Sequence, residues 1–222
     1  MCRIGAVAKT DRERTESRML FETEREHNLA NAHKQEFDLK KAMNALVCVT
    51  ERIQDTASAL RTIYFADRLH LIEYGNTIYG ERYLALQSGP VPETLWKLVY
   101  TGGWVAAKYQ HEFDRCFEMP CTRRTIKPLV SFDWNSLVVG DKSCLEAAIW
   151  LFETMTPSKI RVLARSDSAY LNAMPETDEI DLRRMAMTTY GVTPLLVGLA
   201  NERRRNGGYL TGWVDRGALA CK

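Results

Sequence analysis

The sequence predicts a mainly α-helical chain with a small β element, an α+β fold built around one principal domain. Three observations carry this expectation. Apolar residues between Leu39 and Tyr64 recur at alternating steps of four and three, the spacing that places side chains on one helix face. Further apolar segments, Leu145–Phe152 and Ile160–Leu163, sit behind residues that cap or open helices. A short stretch, Arg82–Gln87, alternates in the manner of a strand. The 222 residues are 45% apolar and 26% charged with a formal net charge of +2, an ordinary globular composition. A chain of this size buries a core without help from metal or disulfide, and its balanced charge demands neither nucleic acid nor an acidic surface as partner.

Residues 1–36 read as a charged extension. Over residues 1–40 eight basic side chains meet eight acidic ones, which suits an exposed helix or a frayed leader laced by i,i+4 pairs. It should be mobile unless Met19, Leu20 and Phe21 dock on the body or on a partner. The stripe that follows, Leu39, Met43, Leu46, Thr50, Ile53, Ala57, Leu60 and Tyr64, is compatible with one long helix or two. Asp38 precedes it as a cap, and Asp55 or Thr56 can cap a second helix reaching about Glu73, with Gly75 as its stop. After the Arg82–Gln87 strand, Ser88-Gly89-Pro90-Val91-Pro92 reads as a stiff turn, because two prolines fix φ and remove donors.

A helix opens at Pro92-Glu93-Thr94 and packs Leu95, Trp96, Leu98 and Val99 before Thr101-Gly102-Gly103 ends it. Residues 111–134 read as extended, with Asp114–Glu118 and Thr122–Lys127 flanking a turn at Met119-Pro120. Asp141 or Ser143 caps the next helix, and Thr156-Pro157-Ser158 opens another that carries Ile160, Val162 and Leu163. Leu182–Met187 and Pro194–Asn201 are further helical segments. The last forty residues hold seven basic and two acidic side chains, so residues 186–222 form a basic extension behind a body at 37–185.

Little in the chain announces chemistry. No run approaches the about 18 apolar residues of a membrane span, and the N-terminus has no apolar signal core, so a cytoplasmic location is expected. The six cysteines are then free thiols. Cys116-x4-Cys121, with His111 upstream, lacks the second ligand pair of a zinc site, so no metal and no cofactor is expected. Neither a glycine-rich phosphate loop nor a G-x-S-x-G elbow occurs. His70 stands one helical turn after Asp67, where the two can share a hydrogen bond; a structural histidine is the simpler reading. Arg203, Arg204 and Arg205, with Tyr209 and Trp213 behind them, can contact phosphates or form a solvated tail. No catalytic residue is assigned, and binding is expected in place of catalysis.

One combination of segments is specific. Ile63-Tyr64-Phe65-Ala66-Asp67-Arg68 leads through Glu73-Tyr74-Gly75 to Tyr79-Gly80-Glu81-Arg82-Tyr83 and then Gly89-Pro90-Val91-Pro92. This succession resembles the Panacea, or SocA-like antitoxin, domain: a Leu-Tyr-Phe-Ala type helix ending in Tyr-Gly, a strand, and a Gly-Pro-Val-Pro corner opening a helix. Tyr64, Phe65, Asp67, Gly75, Gly89, Pro90 and Pro92 carry that likeness. Ser166-Asp167-Ser168-Ala169-Tyr170 resembles the family's later Ser/Thr-His-x-x-Ala-Trp motif, with Asp167 in place of the histidine and Tyr170 in place of the tryptophan. The resemblance spans about 39–185.

The resemblance implies a compact, mainly helical domain with a small antiparallel sheet, acting as the antitoxin of a bacterial or phage-borne toxin–antitoxin pair. The implied partner is a cognate protein toxin, such as a small alarmone-synthetase-like enzyme, neutralised by direct contact. A role as a protease adaptor for the toxin, or as a DNA-binding autoregulator through the basic tail, is the alternative. Trp96, Trp104 and Trp213, together with Arg203, Arg204 and Arg205, are the candidate partner contacts. Trp96 can equally fill the domain's own core.

Overall fold

The computed structural model describes residues 11–101, 105–173, 179–187 and 197–198. Its architecture is helical, with two small antiparallel two-stranded sheets. At the centre lies α3 (Thr56–Tyr74), buried without interruption from Ser58 to Leu71. A helix that is covered on all sides belongs to the middle of a fold rather than its surface. Two helices arise from the 39–64 stripe, because α2 (Leu39–Thr50) ends in a short turn and Asp55 starts α3 afresh, its Oδ1 accepting the Ser58 amide at 2.8 Å. Asp38 caps α2 in the same way through the Lys41 amide.

Gly75 ends α3 in the left-handed conformation (φ 78°). A Cβ there would stand 2.1 Å from the Arg25 carbonyl oxygen, so glycine is required twice over, by φ and by the approach of another helix. That helix is α1 (Asp11–Asn31). Arg25 donates to the Ile72 carbonyl at 3.0 Å and Asn28 to the Tyr74 carbonyl at 3.1 Å, satisfying acceptors that the end of α3 leaves open. Phe21 meets Tyr74 edge to face, while Met19 and Leu20 face solvent. The charged leader therefore docks chiefly through polar side chains that cap a neighbour.

β1 (Tyr83–Leu86) and β2 (Gly89–Pro92) pair antiparallel across Gln87-Ser88. This corrects the expected turn at Ser88–Pro92: Gly-Pro-Val-Pro is itself a strand, and the turn lies before it. Proline is tolerated there because Pro90 and Pro92 have no N–H to offer and Gly89 and Val91 carry the remaining donors. The Ile180 amide donates to the Tyr83 carbonyl, adding a bridge beside β1. From β2 the chain passes directly into α4 (Glu93–Tyr100).

The expected extended run at 111–134 is corrected more sharply. Residues Ala107–Cys116 form α5, and the hairpin shrinks to β3 (Phe117–Glu118) with β4 (Lys127–Pro128). Tyr109, Phe113 and Cys116 follow helical spacing on one side, and Arg115–Glu112 and Gln110–Asp114 bonds brace the other. Likewise α6 (Val139–Phe152) begins before both expected caps. Asp141 acts from inside the first turn, accepting the Val138 amide at 3.1 Å. Ser143 instead bonds the Gly140 carbonyl.

α6 lies along α3, where Gly140 meets the Tyr74 ring and Phe65 packs on Phe152 at 5.1 Å. Thr156 caps α7 (Pro157–Arg165), which buries Ile160 and Ala164 but leaves Val162 facing solvent, against expectation. The short helices α8 (Ser168–Ala173) and α9 (Leu182–Met187) complete the described fold. The segment Pro194–Asn201 lies almost wholly outside the described residues. No described helix is long and apolar enough to cross a membrane.

Candidate functional site

Asp67 and Arg68 stand side by side on α3, and each is 0% exposed. Charges this deep must be matched, because desolvation is costly unless hydrogen bonds or opposite charge replace water. Arg68 forms an ion pair with Asp167 at the start of α8. The same carboxylate accepts the Tyr64 hydroxyl at 2.8 Å and the Ala169 amide at 2.9 Å, so Asp167 is at once counter-ion and helix cap. Tyr170 donates to the Leu86 carbonyl and ties α8 to β1.

Asp67 is held from another direction. Its Oδ1 accepts the Ile78 amide at 2.8 Å and its Oδ2 the Tyr83 hydroxyl at 2.5 Å. Burial pushes its carboxyl up to about 6, even though those two bonds favour the charged form. Asp67 thus joins α3 to the loop and strand that follow it.

The expected Asp67–His70 bond does not form. His70 places Nε2 3.0 Å from Asp141 and Nδ1 2.7 Å from the Asn76 carbonyl. Both partners are acceptors, so each contact calls for an N–H on the ring nitrogen that faces it. Lys41 reaches the other oxygen of Asp141 at 3.1 Å. Burial alone would raise the Asp141 carboxyl, but the bond and charge of His70 and the Lys41 ammonium outweigh it and hold it below its ordinary value. The resulting clamp joins α2, α3 and α6.

A third acid, Glu81, precedes β1. Its Oε1 accepts the Arg82 amide, the Thr94 amide and the Thr94 hydroxyl at 3.0–3.2 Å, which serves the open N-terminus of α4. Burial lifts this carboxyl to about 7. Arg61 donates to the Ser88 carbonyl at 2.7 Å and fixes the β1–β2 turn, with Gly89 (φ 121°) close against it. The corner formed by Gly89, Pro90 and Pro92 is wholly buried.

Chemically this is a set of clamps. The buried hydroxyls of Thr50 and Thr62 bond backbone carbonyls, and burial raises the thiols of Cys48 and Cys144 away from the reactive thiolate. Among the described residues no three or more histidine, cysteine, aspartate or glutamate side chains gather as a metal site.

Residues 60–168 match the family model of the antitoxin SocA-like, Panacea domain. Over this stretch the chain is similar to a Panacea domain. The matched segment runs from the first buried turns of α3 to the first residue of α8, so Arg68 and Asp167 both fall within it. It is narrower than the span suggested by the sequence resemblance. α1 and α2, which pack on the Panacea core, lie outside it. No curated protein and no solved structure matches the chain.

Of the candidate partner contacts, Trp96 is half-buried, packed on the core and 5.9 Å from the Tyr100 ring. Trp104, Trp213, Arg203, Arg204 and Arg205 lie outside the described residues. The structure adds one aromatic that sequence reading missed: Trp150 on α6 is 47% exposed. Its signal was available, since Trp150 falls off the stripe made by Leu145, Ala148, Ile149 and Phe152.

Proposed function

We propose that this chain is an antitoxin that neutralises a cognate protein toxin by direct binding in the cytoplasm. The observation that carries the reading is the Panacea domain at residues 60–168, an antitoxin-family domain that points away from catalysis. The buried polar groups support it, because Asp67, Arg68, His70, Asp141 and Asp167 are spent on joining helices. A rigid body of this kind acts by steric contact, with affinity concentrated in a few aromatic or arginine anchors. Trp150 is the exposed indole of the described surface best suited to such a role.

Co-expression with the product of the adjacent gene tests the reading. Relief of growth arrest and co-purification of a stable complex are expected, with the partner's cellular level unchanged. Unrelieved arrest and the absence of a complex would remove the antitoxin assignment. Partner degradation that depends on this chain would replace inhibition with delivery to a protease.

A further inference from the structure

The helix α7 carries Lys159, Arg161 and Arg165 and no acid. The acids that flank it in sequence are committed elsewhere, Glu153 to Arg52 at 2.6 Å and Asp167 to the buried Arg68. Arg161 and Arg165 are both exposed and stand one turn apart, a spacing at which like charges repel. Other helices balance their cations within a turn, as Arg18 does with Glu22 and Arg115 with Glu112. Among the described residues neither Arg161 nor Arg165 has an ion pair.

A third guanidinium lies behind them. Arg61, on α3 and 4% exposed, donates to the Ser88 carbonyl at 2.7 Å and has no ion pair among the described residues. The β1–β2 turn seats it against α7: a Cβ built on Gly89 would lie 3.4 Å from Nε of Arg61 and 3.6 Å from Cγ of Arg165. Burial lowers the Arg61 guanidinium from its ordinary value; Asp55, Tyr100 and Tyr170 oppose this, and the like charge of Arg161 adds to it. Asp55, the acid of that group, is engaged in capping α3 through the Ser58 amide. Three guanidiniums thus share one corner of the molecule with one carboxylate nearby. Gathering like charge costs free energy in the isolated chain, and an anion placed there offsets it.

Guanidinium groups fit carboxylate and phosphate alike. The surroundings favour carboxylates carried by a protein. The cluster is compact, and Val162 (65% exposed) and Tyr100 (38% exposed) border it with apolar surface. A nucleic-acid backbone calls for a longer track of cations, and the whole chain has a net charge of only +2.

We propose that Arg161 and Arg165, backed by Arg61, receive a cluster of aspartate or glutamate side chains on the protein partner, at the corner where α7 meets the β1–β2 turn. The inference rests on the partner-binding reading above and names one contact of that interface. Arg161 and Arg165 make the contacts because they are exposed, and Arg61 adds its charge from behind.

Two measurements on the full chain test it. First, acetyl-tetraglutamate amide, its tetraglutamine analogue and a short DNA duplex are titrated at low ionic strength while the backbone resonances of Ser88, Gly89, Val162 and Arg165 are followed. The tetraglutamate is expected to bind at least tenfold more tightly than the tetraglutamine, and joint substitution Arg161→Gln, Arg165→Gln to remove the preference. Equal binding of the two peptides, an unchanged preference in the double variant, or shifts produced by the duplex alone overturn the proposal. Second, affinity for the adjacent gene's product is measured for wild type, the double variant and Arg18→Gln, a control on α1, which docks at the other end of α3. A tenfold or greater loss in the double variant, with Arg18→Gln near wild type, supports the site. Wild-type affinity in the double variant, or an equal loss in the control, overturns it. A wild-type chain that binds no such product counts against the antitoxin reading, and the peptide titration still decides the arginine cluster.

Discussion

Stability should fall as pH rises from 5 to 8, and Glu81→Gln should remove the upper part of that fall. The ordinary value of the Glu81 carboxyl is 4.5 and burial lifts it to about 7; for Asp67 the ordinary value is 3.8 and the folded one about 6. In both, the folded chain binds the proton more tightly than the unfolded chain. Their contribution is therefore complete below about pH 4 and is lost as pH climbs through 6 and then 7. Each pH unit of separation corresponds to ~1.4 kcal/mol, giving a ceiling of about 3–4 kcal/mol for each group. Asp141 does not mask the window: its folded value is depressed, so its stability is present above its ordinary value of 3.8 and is lost only on acidification. The charged neighbours of Asp67, His70 and Asp141, oppose one another.

Urea titrations at half-unit steps of pH provide the assay. With roughly 1–3 kcal/mol per molar urea for a protein of this size, losing both contributions moves the midpoint by one molar or more. Glu81→Gln should flatten the curve near pH 7, and Asp67→Asn near pH 6. A wild-type midpoint that stays level or rises between pH 5 and 8 would refute the reasoning, as would a Glu81→Gln curve with the full wild-type slope.

Three further outcomes follow from the packing. Arg68→Met or Asp167→Asn alone should cost about 3–5 kcal/mol, since each removes one side of a buried ion pair, and the double variant should lose clearly less than the sum in a urea cycle. Gly75→Ala forces a Cβ against the Arg25 carbonyl at an unfavourable φ; it should release α1 and be read as faster proteolysis within residues 11–31 while the core keeps its protection. Trp96→Ala should lower the melting temperature, whereas Trp150→Ala should leave it within a degree or two and weaken the complex with the partner.

What could be read in advance was what depends on local chemistry. Asp38 and Asp55 capped as expected, and Gly75 stopped α3, because a side-chain oxygen or a positive φ answers to its own few residues. The Tyr-Phe-Ala and Gly-Pro-Val-Pro segments were legible as a resemblance, and the family match shows it. Partner choice inside the core was not legible. His70 lies one turn from Asp67 in sequence yet bonds Asp141, seventy-one positions away, because helix rotation and the approach of α6 decide which carboxylate it meets. The helix at 107–116 was missed because its apolar face holds only Tyr109, Phe113 and Cys116, and the charges between them mimic a loop. The service of Glu81 to the start of α4 was not legible either, since its bonds to Thr94 exist only once tertiary packing brings the two together.

The same contrast separates the coupled core from the surface. Asp167 could not be judged from the motif, where it replaces a histidine, yet it is the one acid that pairs Arg68, accepts Tyr64 and caps α8 together. Restoring histidine there would confront a buried guanidinium with a ring that is neutral or positive, so Asp167→His should destabilise as strongly as Asp167→Asn unless Arg68 is replaced as well. Asp167 is thus half of a pair whose other half is Arg68. A core locked by such coupled pairs resists piecemeal change, whereas an exposed group such as Trp150 can change singly. The measurement that decides this is the Asp167→His, Arg68→Met double variant. Recovery of most of the lost stability marks the pair as coupled, and no recovery would assign Asp167 to helix capping alone.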